Sequence, residues 1–191
     1  MGLMRLIGRA LTPLRPGVDA LTGPSLGRQV PATITVTSPV FKESEAIPRL
    51  CTAEGDGRFP GIEWSGLPEG TRSVVLLVED ADIPFAVPVT HLIIHSIDPA
   101  VPGIATGAVG SFMAGPSKTG WACGRNFLGA AGWTPPAPPP GHGPHRYAFQ
   151  VFALDAAPSF RHPPRRGRLM RRIRRHILAQ GSLIGTYVNV H

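Results

Sequence analysis

The chain has little cysteine, few aromatics and no acid in its last stretch, and each shortage excludes something. With only two cysteines, Cys51 and Cys123, in 191 residues, a disulfide-stapled scaffold is excluded. Their separation fits no metal-ligand spacing. No stretch reaches the roughly 18–20 consecutive apolar residues that a bilayer span needs. Residues 1–16 interleave Arg5, Arg9 and Arg15 with Leu3, Leu6, Ile7 and Leu11, so the continuous apolar segment of a secretory signal is missing. These absences predict a cytoplasmic protein with free thiols. There is no Gly-x-x-x-x-Gly-Lys-Ser/Thr loop, and none of Ser65, Ser73, Ser111 and Ser117 sits in a Gly-x-Ser-x-Gly context. P-loop hydrolysis and a serine-elbow hydrolase therefore lose their usual signals.

Two residue types are abundant instead: 23 glycines and 22 prolines. So many breakers exclude a helical bundle, and the glycines keep no three-residue period, which excludes collagen. The 42% of hydrophobic residues is enough for one core. Composition thus predicts a loop-rich β protein.

The net charge of +7 is concentrated in one segment. The last acidic residue is Asp155, and Arg161–Arg175 contains eight arginines without a carboxylate; the rest of the chain balances 12 acidic against 11 basic residues. A solvated basic helix face is the plainest reading. The alternative is binding of nucleic acid or an anionic membrane surface through this segment, with the β domain as scaffold.

Residues 1–30 read as an N-terminal arm and 31–191 as a single domain. In the arm, Leu3, Leu6, Ile7 and Leu11 have helical spacing, stopped by Pro13 and Pro16. Strand signals follow at Thr33–Ser38, Ile62–Trp64, Ser73–Glu79, Val89–Ile97, Tyr147–Leu154 and Leu183–Val190. The apolar run Ser73–Glu79 predicts a central strand buried on both faces. Two-residue alternation places Val89, His91, Ile93, His95 and Ile97 on one face. Residues 98–144 form a long irregular stretch with a proline-rich end. Arg166–Ala179 predicts a helix with the stripe Leu169, Ile173 and Ile177, ended by Gly181.

Three clusters can carry chemistry. Asp80-Ala81-Asp82-Ile83-Pro84 puts two carboxylates at the end of the central strand. His91 lies on the next strand. His142-Gly143-Pro144-His145-Arg146-Tyr147 leads into another strand, where His145 and Tyr147 share a face. The preceding Pro-Pro-Pro-Gly is stiff enough to line a cavity. Taken alone, His142 reads as a solvated loop residue, His95 as structural, and Arg146 as turned away from His145 toward a carboxylate or solvent.

Asp80-x-Asp82-x-Pro84, His91, and Pro-Pro-x-Gly followed by Gly-x-His145-Arg146-Tyr147 resemble the phosphatidylethanolamine-binding protein family, in particular its bacterial Raf-kinase-inhibitor-like branch. Ile34–Phe41, Trp64–Thr71, His176–Ala179 and Gly185–Tyr187 extend the resemblance over roughly residues 33–190. It implies a mostly β fold: a central antiparallel sheet packed against a smaller one, with few short helices and a C-terminal helix near the pocket entrance. It also implies a non-enzymatic protein with no catalytic residues, metal or cofactor, and a small pocket for phosphate-like anions or a phospholipid head group. Asp80, Asp82, His91, His145 and Tyr147 match pocket positions, and Pro139, Pro140 and Gly141 match its wall. A kinase-inhibitor-like regulatory role and a protein partner follow from the same resemblance. The arm and the long loops suit a homodimer contact, and nucleic acid is disfavoured as the main partner. The chain departs from the family in reading Asp-Ala-Asp-Ile-Pro at the turn and in lacking the usual aromatic beside the pocket histidine. The competing chemistry is a metal-dependent or acid–base hydrolase built on Asp80, His91 and His145.

Overall fold

The computed structural model describes residues 2–27, 30–113, 115–118 and 120–190, with side chains from Leu6 onward. Met1, Arg28 and Gln29 of the arm, and the side chains of Leu3 and Arg5, lie outside the described residues. The chain begins with α1 (Gly2–Leu11), a 3-10 turn at Val18–Ala20 and the one-turn α2 (Thr22–Ser25). The strands are β1 (Thr35–Thr37), β2 (Ile62–Ser65), β3 (Ser73–Asp80), β4 (Val89–Ile97), β5 (Gly103–Ile104), β6 (Ala122–Cys123), β7 (His145–Leu154) and β8 (Ile177–Tyr187). Helix α3 (Arg166–Ile173) precedes β8.

All named strand pairs are antiparallel. A five-stranded sheet runs in the order β6-β4-β3-β7-β8, and a three-stranded sheet in the order β1-β2-β5. β3 lies at the centre of the larger sheet with all eight residues buried, because both of its faces are covered. One face carries Val74, Leu76, Val78, Phe149 and Val151 in the core that also holds Ile62 and Trp64 of the smaller sheet. The other carries Val75, Leu77, Ile93, Phe152 and Leu154 beneath Leu169 and Ile173 of α3. Each fully buried aliphatic side chain contributes about 1.5–3 kcal/mol, so this two-sided burial dominates the fold's stability. Both cysteines are free and buried.

The structure corrects three expectations. First, β4 does not alternate regularly. Its register against β3 shifts between Val78 and Glu79 and again between Val74 and Leu76, and Ser96 has a positive φ of 59°. Such bulges re-aim side chains. His91 consequently faces Tyr147 in the inter-sheet core, whereas His95 meets Phe160 beside the α3 core. Second, α3 ends at Ile173 rather than Ala179, and Ile177 opens β8 opposite Leu154. Nine further residues of β8 pair with β7; that ladder and the β-branched Ile177 outweigh continuation of the helix. Third, α3 lies on the sheet face opposite Asp80 and Tyr147, not near a pocket entrance.

The arm is anchored through a buried polar network. Glu79 Oε2 accepts from the Thr22 N–H and from Gln150 Nε2, each at 2.8 Å, while Gln150 Oε1 accepts from the Gly23 N–H at 2.6 Å. Arg166 of α3 closes the network, 2.6 Å from Glu79 Oε1. Farther toward the N-terminus the arm passes just beyond the end of β3, where Gly17 N–H donates to the Ala81 carbonyl.

Candidate functional site

The site forms where β3, β4 and β7 end together. Asp80 pairs in register with Tyr147 and with Val89, so the strand-end carboxylate, the β7 aromatic and the start of β4 are neighbours by sheet geometry. His145 Nδ1 lies 2.7 Å from Asp80 Oδ2, and its Nε2 lies 2.7 Å from Nδ1 of His142. His142 Nε2 in turn donates to the Leu11 carbonyl at 3.0 Å. Asp80 Oδ1 accepts from the Asp82 N–H at 2.8 Å, which fixes the plane of the carboxylate.

This chain of contacts can be counted in protons. A carbonyl only accepts, so His142 Nε2 carries a hydrogen. The His145–His142 link needs a second proton and the Asp80–His145 link a third. An Asp80 carboxylate with two neutral imidazoles carries only two. All three links together require one proton more, which makes the group neutral as a whole, with an imidazolium facing the Asp80 carboxylate. Burial pushes the His142 imidazole below the ordinary histidine range, opposed by its bond to the Leu11 carbonyl. Asp80 Oδ2 faces His145 Nδ1, so the hydrogen-bond count places the added proton on His145.

His91 flanks this chain. Its Nδ1 lies 2.7 Å from the Thr134 carbonyl, which leaves Nε2 as its unengaged nitrogen. Burial lowers its basicity, opposed chiefly by the charge of Asp80. Its ring lies 5.2 Å from Tyr147, 5.3 Å from Phe127 and 6.2 Å from Trp133. Phe127 and Trp133, both from the irregular 98–144 stretch, supply the aromatic packing that the β4 sequence lacks. The Tyr147 hydroxyl lies beside Asp80 and the Ala137 backbone, buried and without a well-formed hydrogen bond among the described residues. Burial, and then Asp80, push its phenol well above the ordinary range.

Asp82 is committed elsewhere. It accepts from Arg146 Nε at 2.7 Å, Arg146 Nη2 at 2.6 Å and the Arg146 N–H at 2.9 Å, with Arg15 3.4 Å away. Burial raises the Asp82 carboxyl, but the hydrogen bonds and charge of Arg146, with Arg15 behind them, outweigh burial and hold it below the usual carboxylate range. Asp82 thus locks the start of β7 to the turn after β3. Pro139, Pro140 and Gly141 form the turn that carries His142: the Pro139 carbonyl accepts from the His142 N–H at 3.1 Å, and Gly141 has a φ of 80°.

The structure brings Asp80, His91, His145 and Tyr147 together, with Pro139–Gly141 behind them, and directs the Asp82 carboxylate toward arginine. His142 is a correction: it is fully buried and bonded at both ring nitrogens rather than solvated. Its spacing of three residues from His145 across a Gly-Pro turn was the available signal. Arg15 and Leu11 gave none, since only tertiary folding brings the arm here. Arg15 donates to the His142 carbonyl, and to the Pro144 carbonyl at 2.8 Å. Among the described residues, no group of three or more His, Cys, Asp or Glu side chains is arranged to hold a metal ion.

Residues 37–188 match the model of the family described as "Phosphatidylethanolamine-binding protein". A "UPF0098 protein" of Aquifex aeolicus is 37% identical over 158 residues, covering 82% of this chain and 89% of its own. A Mycobacterium bovis relative of the same description is 34% identical over 188 residues, or 94% and 82%. Among solved structures, Escherichia coli YbcL, described as a member of the mammalian PEBP family, superposes with a TM-score of 0.75 at 28% identity, covering 83% of this chain and 99% of its own. A Chlamydia trachomatis homolog of phosphatidylethanolamine-binding protein gives 0.73 at 30% identity, covering 82% and 98%. With four-fifths of its length matched, and the paired sheets and strand-end cluster in place, the chain belongs to the phosphatidylethanolamine-binding protein family.

Proposed function

We propose that this protein is a non-enzymatic binder of small oxyanions of the phosphate class, including the phosphate of a phospholipid head group, at the Asp80–His145–His142 cluster. The observation that carries this reading is the buried chain of contacts from Asp80 through His145 to His142, 2.7 Å at each side-chain link, whose links together require the added proton. It presents an N–H polarised by an imidazolium, while the Asp80 carboxylate that balances the charge is held on the inner side. Hydrogen bonds from such donors to phosphate oxygens are the strong kind. The buried Tyr147 hydroxyl, beside Asp80 and the Ala137 backbone, adds a second donor type next to it. Both ring nitrogens of His145 are already engaged, so His145 acts by orienting and charging His142. A regulatory role of the kind seen in the Raf-kinase-inhibitor-like branch would use the same cluster, with ligand occupancy changing the surface a partner protein meets.

The test is calorimetric titration with inorganic phosphate and with O-phosphoethanolamine. Saturable binding is expected for both. Absence of saturable binding for either compound would refute the reading.

A further inference from the structure

Every group in the cluster is shut away: Asp80, Asp82, His91, His142, His145 and Tyr147 are all buried. The closure comes from the N-terminal arm, whose contacts here are mostly made by backbone. The Leu11 carbonyl takes the outer His142 N–H. Arg15 grips the carbonyls of His142 and Pro144 and approaches Asp82. At Gly8 the helix rests on the 140–142 turn so closely that a Cβ there would overlap the Pro140 carbonyl. Little apolar burial supports this seating, since Leu6 and Ile7 are 63% and 46% exposed and Leu14 is exposed too. The contrast with residues 18–26, tied down by Glu79, Gln150 and Arg166, is sharp. Between the two parts lies Gly17, with a φ of 80°, a backbone state that glycine adopts without strain. Segments with few buried apolar contacts open at low free-energy cost.

The geometry points to residues 8–15 as a strap over the site, with His142 as its ligand-facing donor and the Leu11 carbonyl standing where a ligand oxygen would bind. This rests on the oxyanion reading above and extends it. The carbonyl is a neutral acceptor and phosphate a charged one, so an arriving anion makes the stronger bond to the same N–H. Binding therefore competes with the strap, and the measured affinity is the intrinsic one reduced by the fraction of molecules in which the strap is open. Opening also frees Arg15, a cation at the rim of the same site. The charged and titratable groups acting on His142 are Asp80 at the end of β3, His145 at the start of β7 and Arg15 from the arm.

The experiment compares the full-length protein with Gly8→Val, which cannot seat on the Pro140 carbonyl yet alters no group of the cluster, and with Arg15→Gln as a second way to loosen the strap. Leu6→Ala, at an exposed position of α1, is the control. Two readouts are taken: acylation of individual histidines by diethyl pyrocarbonate, resolved by mass spectrometry, and affinity for inorganic phosphate. Gly8→Val should make His142 reactive and tighten phosphate binding roughly tenfold or more, while Leu6→Ala behaves as the parent. If His142 stays protected in both Gly8→Val and Arg15→Gln, the strap is not the closure and the inference fails, whatever the phosphate result. If His142 becomes reactive but phosphate affinity is unchanged, the Leu11 carbonyl does not occupy the ligand position, and the inference is again overturned. Reactive His142 with no phosphate binding in any protein marks the failure of the oxyanion reading itself.

Discussion

Replacing Asp80 by asparagine separates two views of the site, because they differ in sign. In a purely Coulombic view, removing a carboxylate from an anion site strengthens anion binding. The hydrogen-bond count gives the opposite result. Asp80 Oδ1 accepts from the Asp82 N–H at 2.8 Å and Oδ2 faces His145 Nδ1 at 2.7 Å. An asparagine in the same pose keeps its oxygen on the Asp82 N–H and turns its NH₂ toward His145. The amide then donates to Nδ1, and all three links form with two neutral imidazoles. The extra proton is gone, and the outer His142 N–H becomes an ordinary donor. Hydrogen bonds to charged groups contribute about 1.5–3 kcal/mol and neutral ones about 0.5–1.5. Loss of the imidazolium behind His142 should thus weaken phosphate binding by about 1–1.5 kcal/mol, roughly tenfold. The folded state should tolerate the change, because no buried group is left unpaired. Asp80→Ala, in contrast, strands the imidazolium and should cost about 3–5 kcal/mol of stability. Calorimetric titration with phosphate gives the affinity, and urea unfolding gives the stability. Phosphate binding by Asp80→Asn that equals or exceeds that of the parent would refute the proton count.

Two further predictions concern regions outside the site. Burial brings the His95 imidazole down to about 4, against about 6.5 in the unfolded chain. The unfolded state therefore takes up this proton first as pH falls, and stability drops between about pH 6.5 and 4, by about 2 kcal/mol at about pH 5. His95→Phe, which keeps the ring contact with Phe160, should lose that increment of pH dependence in urea unfolding; parallel pH profiles for the two proteins would contradict it. On α3 and its flanks, Arg168, Arg171, Arg172 and Arg175 are exposed and in no ion pair among the described residues. Because α3 lies on the far face of the sheet, changing Arg171, Arg172 and Arg175 to Gln should leave the low-salt phosphate on-rate unchanged and reduce salt-dependent retention on heparin. A slower on-rate in the triple variant would show that the helix's field reaches the site.

The parts of the fold legible in the sequence were those set by local patterns of burial. The apolar run of β3 is continuous because both faces are covered, and Leu169 and Ile173 mark the buried stripe of α3 because the arginines around them must stay in water. Where the pattern misled, a tertiary term intervened. His91 and His95 read as same-face neighbours, and the bulge at His91, opposite the Val78–Glu79 step, sends them to different cores. Bulges insert single residues that leave no mark in a short apolar strand. Likewise Ile177 continues a helical stripe on paper, and pairing with Leu154 claims it for the sheet.

The cluster shows the same division. Asp80, His145 and Tyr147 were readable because strand-end position and two-residue alternation are local properties, and the register of β3 against β7 then joins them. His142 was misread because its burial depends on a partner more than a hundred residues away. The Leu11 carbonyl is a backbone atom, which every residue carries, so no choice of side chain announces it. The folded chain shows what that contact requires: a glycine at position 8, where any side chain would overlap the Pro140 carbonyl, and an arginine at position 15, long enough to reach two carbonyls of the His142 loop. A helix that keeps Leu6 and Ile7 in water while seating its glycine on the loop gains little from apolar burial. Its contacts concentrate instead on the residues that cover the proton chain, which is the arrangement expected of a segment meant to release.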